Sequence, residues 1–449
     1  MNIAVIGTGY VGLVSGACLA DKGHQVICVD SRREVVEALR QGHCPIHEDG
    51  LPEILQRNIG KTLTFTTDLA DAVRKSSLTL IAVGTPTHEG EIDLTQVKTA
   101  SKQIGQALRG TSGRHTVILK STCVPGTTRA VVAEIVKAES QKTEGAEVGF
   151  GANPEFLTEG QAVDDFMNPD RLVFGADTPE VLDDLRELYA AFPDTPRVET
   201  NTATAEMIKY SSNVLLATLI SFSNEIGNLS AAVGNIDGSK VMEGIHLSQY
   251  LTRMTPRYGR QAAQITGFLQ PGCGYGGSCL PKDLAALVKF AENRGVDPVL
   301  LRAVGDVNRR QPKVVIDLLR EELGSLSGKT IGVLGLAFKP DTSDTRQTPA
   351  VPIIAELNAA GSKVIAYDPV VKEDESISNA VDLQTAESVD ALLAQSDAVV
   401  LVTKWGEFAD LPERLRAMPK PPVVVDGRQF YDPKDFSSKY VAVGSGRVG

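Results

Sequence analysis

The stretch Gly274-Tyr275-Gly276-Gly277-Ser278-Cys279-Leu280-Pro281-Lys282-Asp283 holds the residues best suited to chemistry in this sequence. Glycines let a backbone approach a ligand, and the thiol stands just before Pro281, a residue type favoured in the first turn of a helix. A helix N-terminus and a neighbouring lysine both stabilise a thiolate. An inert, buried cysteine is the competing reading, and the glycine-rich surroundings favour the reactive one. The other cysteines, Cys18, Cys28, Cys44, Cys123 and Cys273, are scattered without a zinc pattern, and no metal site is expected.

A second pattern lies at the N-terminus. Ile3-Ala4-Val5-Ile6-Gly7-Thr8-Gly9-Tyr10-Val11-Gly12 reads as a strand entering G-x-G-x-x-G and then a helix. Gly7 permits the tight turn, Gly9 lets the backbone approach a pyrophosphate, and Gly12 lets helix and strand pack closely. The next strand ends in Asp30, placed to accept hydrogen bonds from a ribose diol. Its carboxylate would repel a 2'-phosphate, so NAD is expected over NADP; Arg32 and Arg33 just beyond could soften that preference. Two later strands run into Gly84-Thr85-Pro86 and Ser121-Thr122-Cys123. Loops at the carboxyl ends of parallel strands line the ligand crevice, so Thr85 and Thr122 are either cofactor or catalytic contacts or ordinary turn hydroxyls.

A thiolate combined with NAD suggests oxidation of an aldehyde through a covalent hemithioacetal and a thioester that water hydrolyses. Hydrolysis needs a carboxylate to orient or deprotonate water and a cation or amide to steady the oxyanion. Asn153-Pro154-Glu155-Phe156-Leu157-Thr158-Glu159-Gly160 offers two acids in a loop. Lys209 and Asn213 stand four apart on a helix and share a face; taken alone, such a pair is more often a solvated surface.

These groups need elements to position them. The first part of the chain alternates β-branched runs (2–6, 26–30, 63–66, 78–83, 116–119) with amphipathic stretches, the mark of βαβ units on a parallel sheet. From Thr202 to about Val233 apolar residues recur at helical spacing, predicting a long helix that forms a spine or a dimer seam, or two helices broken near Ser221 to Ser223. A helical region is expected to close before Gln311-Pro312, and a second α/β pattern starts at Thr330 with strands at 330–334, 363–367, 398–402 and 423–425. The tail from Gly444 is expected to fray. The fold class is therefore α/β: two doubly wound Rossmann-like domains joined by a long central helix, with the active site in the cleft between them. The expected division is 1–200 for NAD, 201–312 for a helical dimerisation region with the cysteine loop, and 313–449 for the second doubly wound domain.

With 449 residues, two or three domains are expected at roughly 100 to 200 residues each. A formal charge of -11 disfavours nucleic acid and anionic membranes as partners but allows a small anion held by local cations. No apolar run reaches the roughly 18 to 20 residues of a membrane span, and the N-terminus lacks a signal sequence, so a cytoplasmic location is expected.

Seven motifs in order make the chain resemble the UDP-glucose 6-dehydrogenase family, within the wider nucleotide-sugar dehydrogenases. They are Gly7-Thr8-Gly9-Tyr10-Val11-Gly12, Val83-Gly84-Thr85-Pro86, 121–127, Asn153-Pro154-Glu155-Phe156-Leu157, Lys209-Tyr210 with Asn213, Gly276-Gly277-Ser278-Cys279 with Lys282-Asp283, and 338–342 with Asp344 and Arg346. The resemblance implies a four-electron oxidation in which a nucleotide sugar, two NAD and water give the sugar acid and two NADH. It makes Cys279 the nucleophile, Asp283 its partner in activating water or tuning the thiol, Lys209 and Asn213 the oxyanion pair, and Thr122 with Glu155 the holders of the water or the base. It assigns NAD to Gly7, Gly9, Tyr10, Val11, Gly12, Asp30, Thr85, Thr122, Glu155, Lys282 and Arg346. The sugar nucleotide falls to Phe156, Leu157, Glu159, Lys209, Asn213, Phe268, Leu269, Gly272, Tyr275, Gly276 and Lys339. A homodimer through the central helix is also implied.

Two departures from the family pattern stand out. The family carries Lys or Arg five residues after the ribose-binding acid, where this chain has Val35, so that contact is lost or moved to Arg32 or Arg33. The connection between Ile245 and Phe268 is longer than the family's, and the Arg-Ile-Gly-type step that lends an arginine to the neighbouring subunit is not evident. Arg253, Arg257 and Arg260 are candidates to replace it. UDP-glucose is the leading substrate; GDP-mannose and then a UDP-hexosamine are the rivals within the chemistry. A catalytically silent NAD-binding sensor with Cys279 as a redox switch is the rival from another class.

Overall fold

The computed structural model describes residues 1–88, 90–255, 259–372 and 374–445, without the side chains of Thr255 and Arg260. It comprises two compact units, Met1–Ser212 and Asn213–Gly449.

The first unit is built on an eight-stranded sheet: β1 (Asn2–Ile6), β2 (Gln25–Val29), β3 (Leu63–Thr66), β4 (Leu78–Ile81), β5 (His115–Leu119), β6 (Val148–Ala152), β7 (Leu172–Ala176) and β8 (Arg197–Thr200). Their order across the sheet is β8-β7-β6-β5-β4-β1-β2-β3, parallel except where β7 meets β6. Strand β1 shows why both faces are covered. Ile3 and Val5 pack into one apolar cluster while Ala4 and Ile6 pack into another on the opposite face, as the two-residue period of a doubly covered strand requires. The order reverses between β1 and β4, and ligand crevices form outside the carboxyl ends of strands at such a switch.

The second unit repeats the plan. Strands β9 (Thr330–Leu334), β10 (Lys363–Tyr367), β11 (Gln384–Thr385), β12 (Ala398–Leu401), β13 (Val423–Asp426) and β14 (Tyr440–Ala442) lie in the order β11-β10-β9-β12-β13-β14, all parallel. Both sheets are doubly wound, as expected. Helix Thr202–Val233 runs for 32 residues without a break at Ser221 to Ser223. It starts within the first unit and continues into the second.

Two expectations need correction. Helix Val299–Leu323 does not close before Gln311-Pro312 but carries Pro312 in its interior, a position that usually costs about 3 kcal/mol. Packing offsets this cost: Val315, Ile316 and Leu319 are fully buried in the second core, and Gln311 Nε2 donates to the Gly272 carbonyl at 2.7 Å. The tail also stays in place further than expected. Gly444 is seated against Gly227 and Pro271, and Ser445 bridges Asp237; the expected fraying beyond it falls on 446–449, outside the described residues. The long connection after Ile245 forms an antiparallel hairpin, Thr252–Thr255 with Gly259–Ala262. Arg253 is exposed on its first strand, Arg260 lies on the second, and Arg257 is outside the described residues.

Among the described residues no helix is long and apolar enough to cross a membrane, and no group of three or more His, Cys, Asp or Glu is placed to hold a metal. None of the six cysteines forms a disulfide.

Candidate active site

In the first unit, the turn after β1 brings Gly7 to φ +101°, where a Cβ would stand 2.6 Å from the Ala82 carbonyl oxygen. A Cβ on Gly12 would meet the Gly7 carbonyl oxygen at 2.0 Å, while one on Gly9 meets nothing within 4 Å. The turn is thus closed on the protein side and open at Gly9, at the start of helix Tyr10–Asp21, whose N-terminus has no side-chain cap. That is the cradle a dinucleotide pyrophosphate fits.

Asp30 follows β2. Its carboxylate accepts from Thr8 N at 3.2 Å, Thr8 Oγ1 at 2.6 Å, Arg32 N at 3.0 Å, and Arg32 Nε and Nη2 at 3.0 and 3.1 Å. Burial alone would raise this carboxyl; the hydrogen bonds from Arg32 and Thr8 outweigh it and hold the group well below the usual carboxylate range. Arg32 is therefore the cation beside Asp30, whereas Arg33 lies 3.8 Å from the exposed Glu37. Thr85 Oγ1 donates to the Thr122 carbonyl at 2.8 Å, tying the loop after β4 to the loop after β5.

The acids of the loop after β6 are treated differently. Glu155 is buried and its Oε1 lies 3.1 Å from Lys209 Nζ, while its Oε2 accepts the Leu157 N–H at 2.5 Å. Burial pushes its carboxyl up, but the charges of Lys209 and Lys120 and the Leu157 N–H pull it below its ordinary value. Glu159 is partly exposed. The Phe156 ring lies under the Arg171 guanidinium at 3.8 Å and near Lys209 at 5.4 Å. Lys120 was missed by sequence reasoning, although it immediately precedes the motif from which Thr122 was chosen. Its Nζ donates to Asn153 Oδ1 at 2.9 Å, and burial lowers its pKa to about 8.

In the second unit Cys279 is exposed and caps helix Leu280–Glu292, with Pro281 in the first turn as expected. Its carbonyl accepts the Asp283 N–H at 2.9 Å, and Ser278 Oγ lies 3.5 Å from its sulfur. Asp283 is 1% exposed; Asn213 Nδ2 donates to its Oδ2 at 2.6 Å and Lys282 Nζ to its Oδ1 at 2.5 Å. Cys279, Lys282, Asp283 and Asn213 are thus one constellation, with the thiol at the positive end of a helix.

The glycines of this loop approach other parts of the chain itself. A Cβ on Gly276 would stand 2.2 Å from the Gln347 carbonyl oxygen, and one on Gly277, at φ +85°, would stand 2.7 Å from the Phe338 ring. The Gly277 N–H donates to the Arg346 carbonyl at 2.9 Å, while the Arg346 guanidinium is held by Asp344 at 2.7 Å. Gly272 N donates to Asn224 Oδ1 at 2.7 Å, and Tyr275 exchanges two backbone bonds with the Asn308 amide. Leu269 is buried, its carbonyl 2.8 Å from His246 Nε2. Phe268 ends a short 3-10 helix, and Lys339 is partly buried near the Phe338 ring. Arg428 is a second residue the sequence reading missed: it follows β13 and its Nη1 donates to the Gly274 carbonyl at 2.7 Å. The rule that located Thr85, ligands at the carboxyl ends of parallel strands, would have found it.

Residues 1–193, 203–310 and 332–433 match, in turn, the NAD binding, central and UDP binding domains of the UDP-glucose/GDP-mannose dehydrogenase family. The chain belongs to that family. Its nucleotide-binding first unit is accordingly the family's NAD-binding domain. Among relatives, the chain is 41% identical to the UDP-glucose 6-dehydrogenase of Haloferax volcanii, over 96% of this chain and 97% of the relative. It is 40% identical to a UDP-glucose 6-dehydrogenase of Bacillus subtilis, over 96% and 89%. The solved structure of a UDP-glucose dehydrogenase from Pyrobaculum islandicum is similar with a TM-score of 0.88 and 36% identity, covering 99% of this chain and 97% of that one.

Proposed function

We propose that this protein oxidises UDP-glucose at C6 to UDP-glucuronate, with two NAD and one water consumed and two NADH formed. The observation that carries the reading is the exposed Cys279 thiol at the start of a helix, one turn from a buried Asp283 that Asn213 and Lys282 hold. The UDP binding match at 332–433 favours uridine over guanosine, and the names of the similar proteins favour glucose.

NAD, when bound, accepts a hydride at each of the two oxidations, first from the C6 alcohol and then from the thiohemiacetal. The chain's residues do the rest. The Cys279 sulfur bonds to C6 of the aldehyde, and the oxygen that gains charge is steadied by the Lys209 ammonium and the Asn213 amide. The second oxidation leaves a thioester on Cys279. Glu155, ionised beside Lys209, and Thr122 hold the water that attacks it; the C–S bond breaks, the acid leaves and the thiol is restored. Asp283 orients Asn213 and tunes the thiol. Asp30 holds the adenosine ribose, with Gly7, Gly9, Tyr10, Val11 and Gly12 around the pyrophosphate. Thr85, Lys282 and Arg346 complete the cofactor contacts. Phe156, Leu157, Glu159, Phe268, Leu269, Gly272, Tyr275, Gly276 and Lys339 bind the sugar nucleotide.

A homodimer through the central helix is supported by Leu215, Phe222 and Leu229, which recur every seven residues and are 50%, 45% and 59% exposed. A reducing compartment keeps Cys279 a thiol, and we place the protein in the cytoplasm. The test is NADH formed per sugar with UDP-glucose, GDP-mannose and UDP-hexosamines in parallel. Two NADH per UDP-glucose supports the reading; one per sugar, or preference for another nucleotide, overturns it. Cys279→Ser should abolish turnover while UDP-glucose binding persists.

A further inference from the structure

Glu48 belongs to none of the motifs above. It sits between helices Arg33–Arg40 and Leu51–Asn58, yet is only 3% exposed. Its Oε2 accepts the Gly160 N–H at 2.8 Å and its Oε1 the Val163 N–H at 3.3 Å. The same Gly160 N–H lies 2.7 Å from Tyr10 Oη. Gly160 stands at φ +84°, a conformation glycine takes readily and other residues do not, so the direction of this N–H depends on the residue type. One donor is thus shared by two acceptors. The first is carried by the turn that begins helix Tyr10–Asp21, the second by a buried carboxylate.

The neighbouring donors are held in the same manner. The Leu157 N–H is taken by Glu155 and the Thr158 N–H by Asp165, at 2.5 and 2.8 Å. The segment 156–160 is therefore shaped by carboxylates outside or beside it, and Glu48 anchors its far end.

We propose that Glu48 is a positioning residue that couples the two ligand sites of the first unit. This rests on the assignment of 7–12 to NAD and of 156–160 to the sugar nucleotide. A pyrophosphate drawn onto the N–H groups beside Gly9 moves the adjoining Tyr10 and changes its hold on Gly160. Glu48, fixed also at Val163, then carries the shared donor and keeps the segment in its sugar-binding form. Cofactor and sugar nucleotide consequently bind with positive cooperativity.

Calorimetry with NADH and UDP-glucose tests this without turnover. In the wild type, saturating NADH should tighten UDP-glucose binding by about fivefold or more, the low end of common coupling factors, and the reverse titration must return the same factor. Glu48→Gln should bring the factor close to one, and Tyr10→Phe should reduce it. A purely structural Glu48 would weaken UDP-glucose binding equally with and without NADH, and that result overturns the coupling. So does a wild-type factor of one, or both variants keeping the wild-type factor. A wild type that binds no UDP-glucose overturns the proposed function, and the coupling with it.

Discussion

The Glu155 carboxylate stands 3.1 Å from the Lys209 ammonium, with side chains only 7% and 6% exposed. Removing one member of such a pair leaves the other charge buried without its counterion, which typically costs 3 to 5 kcal/mol. Glu155→Gln should therefore lose about 3 kcal/mol in urea unfolding at pH 7. Because the folded-state pKa of Glu155 lies below its usual value, its contribution is present above the unfolded value and is lost as pH falls through the folded one. The gap between wild type and variant should accordingly narrow below about pH 4.5. On the proposed mechanism turnover should also fall, by roughly a hundredfold or more, since Glu155 would hold the hydrolytic water. Full activity in Glu155→Gln would remove Glu155 from the mechanism.

Arg32 grips Asp30 with both Nε and Nη2, so the acid proposed to hold the ribose and a cation share one position. Asp30→Ser frees that guanidinium beside the site where a 2'-phosphate would lie, and Arg–phosphate pairing is strong. The KM for NADP should drop by about tenfold or more, equivalent to about 1.4 kcal/mol, while the KM for NAD rises. Adding Arg32→Ala should reverse the gain with NADP. If Asp30→Ser alone leaves NADP unused, Arg32 is only a brace for the acid.

What the sequence made legible was local. Apolar β-branched runs such as Asn2 to Ile6, alternating with amphipathic stretches, and helical spacing from Thr202 onward located sheet and spine, because the period of an apolar pattern reports which face is buried. Motif spacing also singled out Cys279 and Asp283, which the structure places one helical turn apart. Partners distant in sequence were not legible. Asn213 meets Asp283 seventy residues away, and nothing around Glu48 signals that it binds Gly160. Pro312 misled for the same reason: a helix stop is a local rule, and distant packing at Val315 and Leu319 overrides it. Gly276 was read as a place for a ligand, and the structure adds a separate demand at that position, from the Gln347 carbonyl.

That demand makes Gly276 a steric test of the cysteine loop. An alanine Cβ would stand 2.2 Å from the Gln347 carbonyl oxygen, and backbone on both sides leaves little room to yield. Gly276→Ala should cost about 1 to 3 kcal/mol, as overpacking does, visible as a drop of several degrees in Tm. Because Cys279 follows three residues later, alkylation of the thiol by iodoacetamide should change rate as well. Gly267→Ala, where a Cβ meets nothing within 4 Å, is the control and should leave both unchanged. Equal behaviour of the two variants would show that the loop tolerates displacement.

Lys120 offers a readout of the network behind Glu155. Its ammonium is buried among Asn153 and Tyr189, at 2.9 and 3.3 Å, and its pKa falls from 10.5 to about 8 because burial disfavours the charge. Between those values the unfolded chain binds the proton that the folded chain has released, so stability contributed by this group rises with pH across that window. Below about pH 8 the penalty of the buried charge is fully present, on the order of 3 kcal/mol from a shift of this size. Urea unfolding of Lys120→Met should lack this rise between pH 8 and 10.5, and the difference between wild type and variant isolates it from the other titrating groups. At pH 7 the variant also loses the donor to Asn153, which precedes Pro154 and Glu155, so kcat should fall even where stability is kept. Parallel stability curves for the two proteins through the alkaline range would mean that Lys120 keeps its proton, with Glu155 then the group that holds it charged.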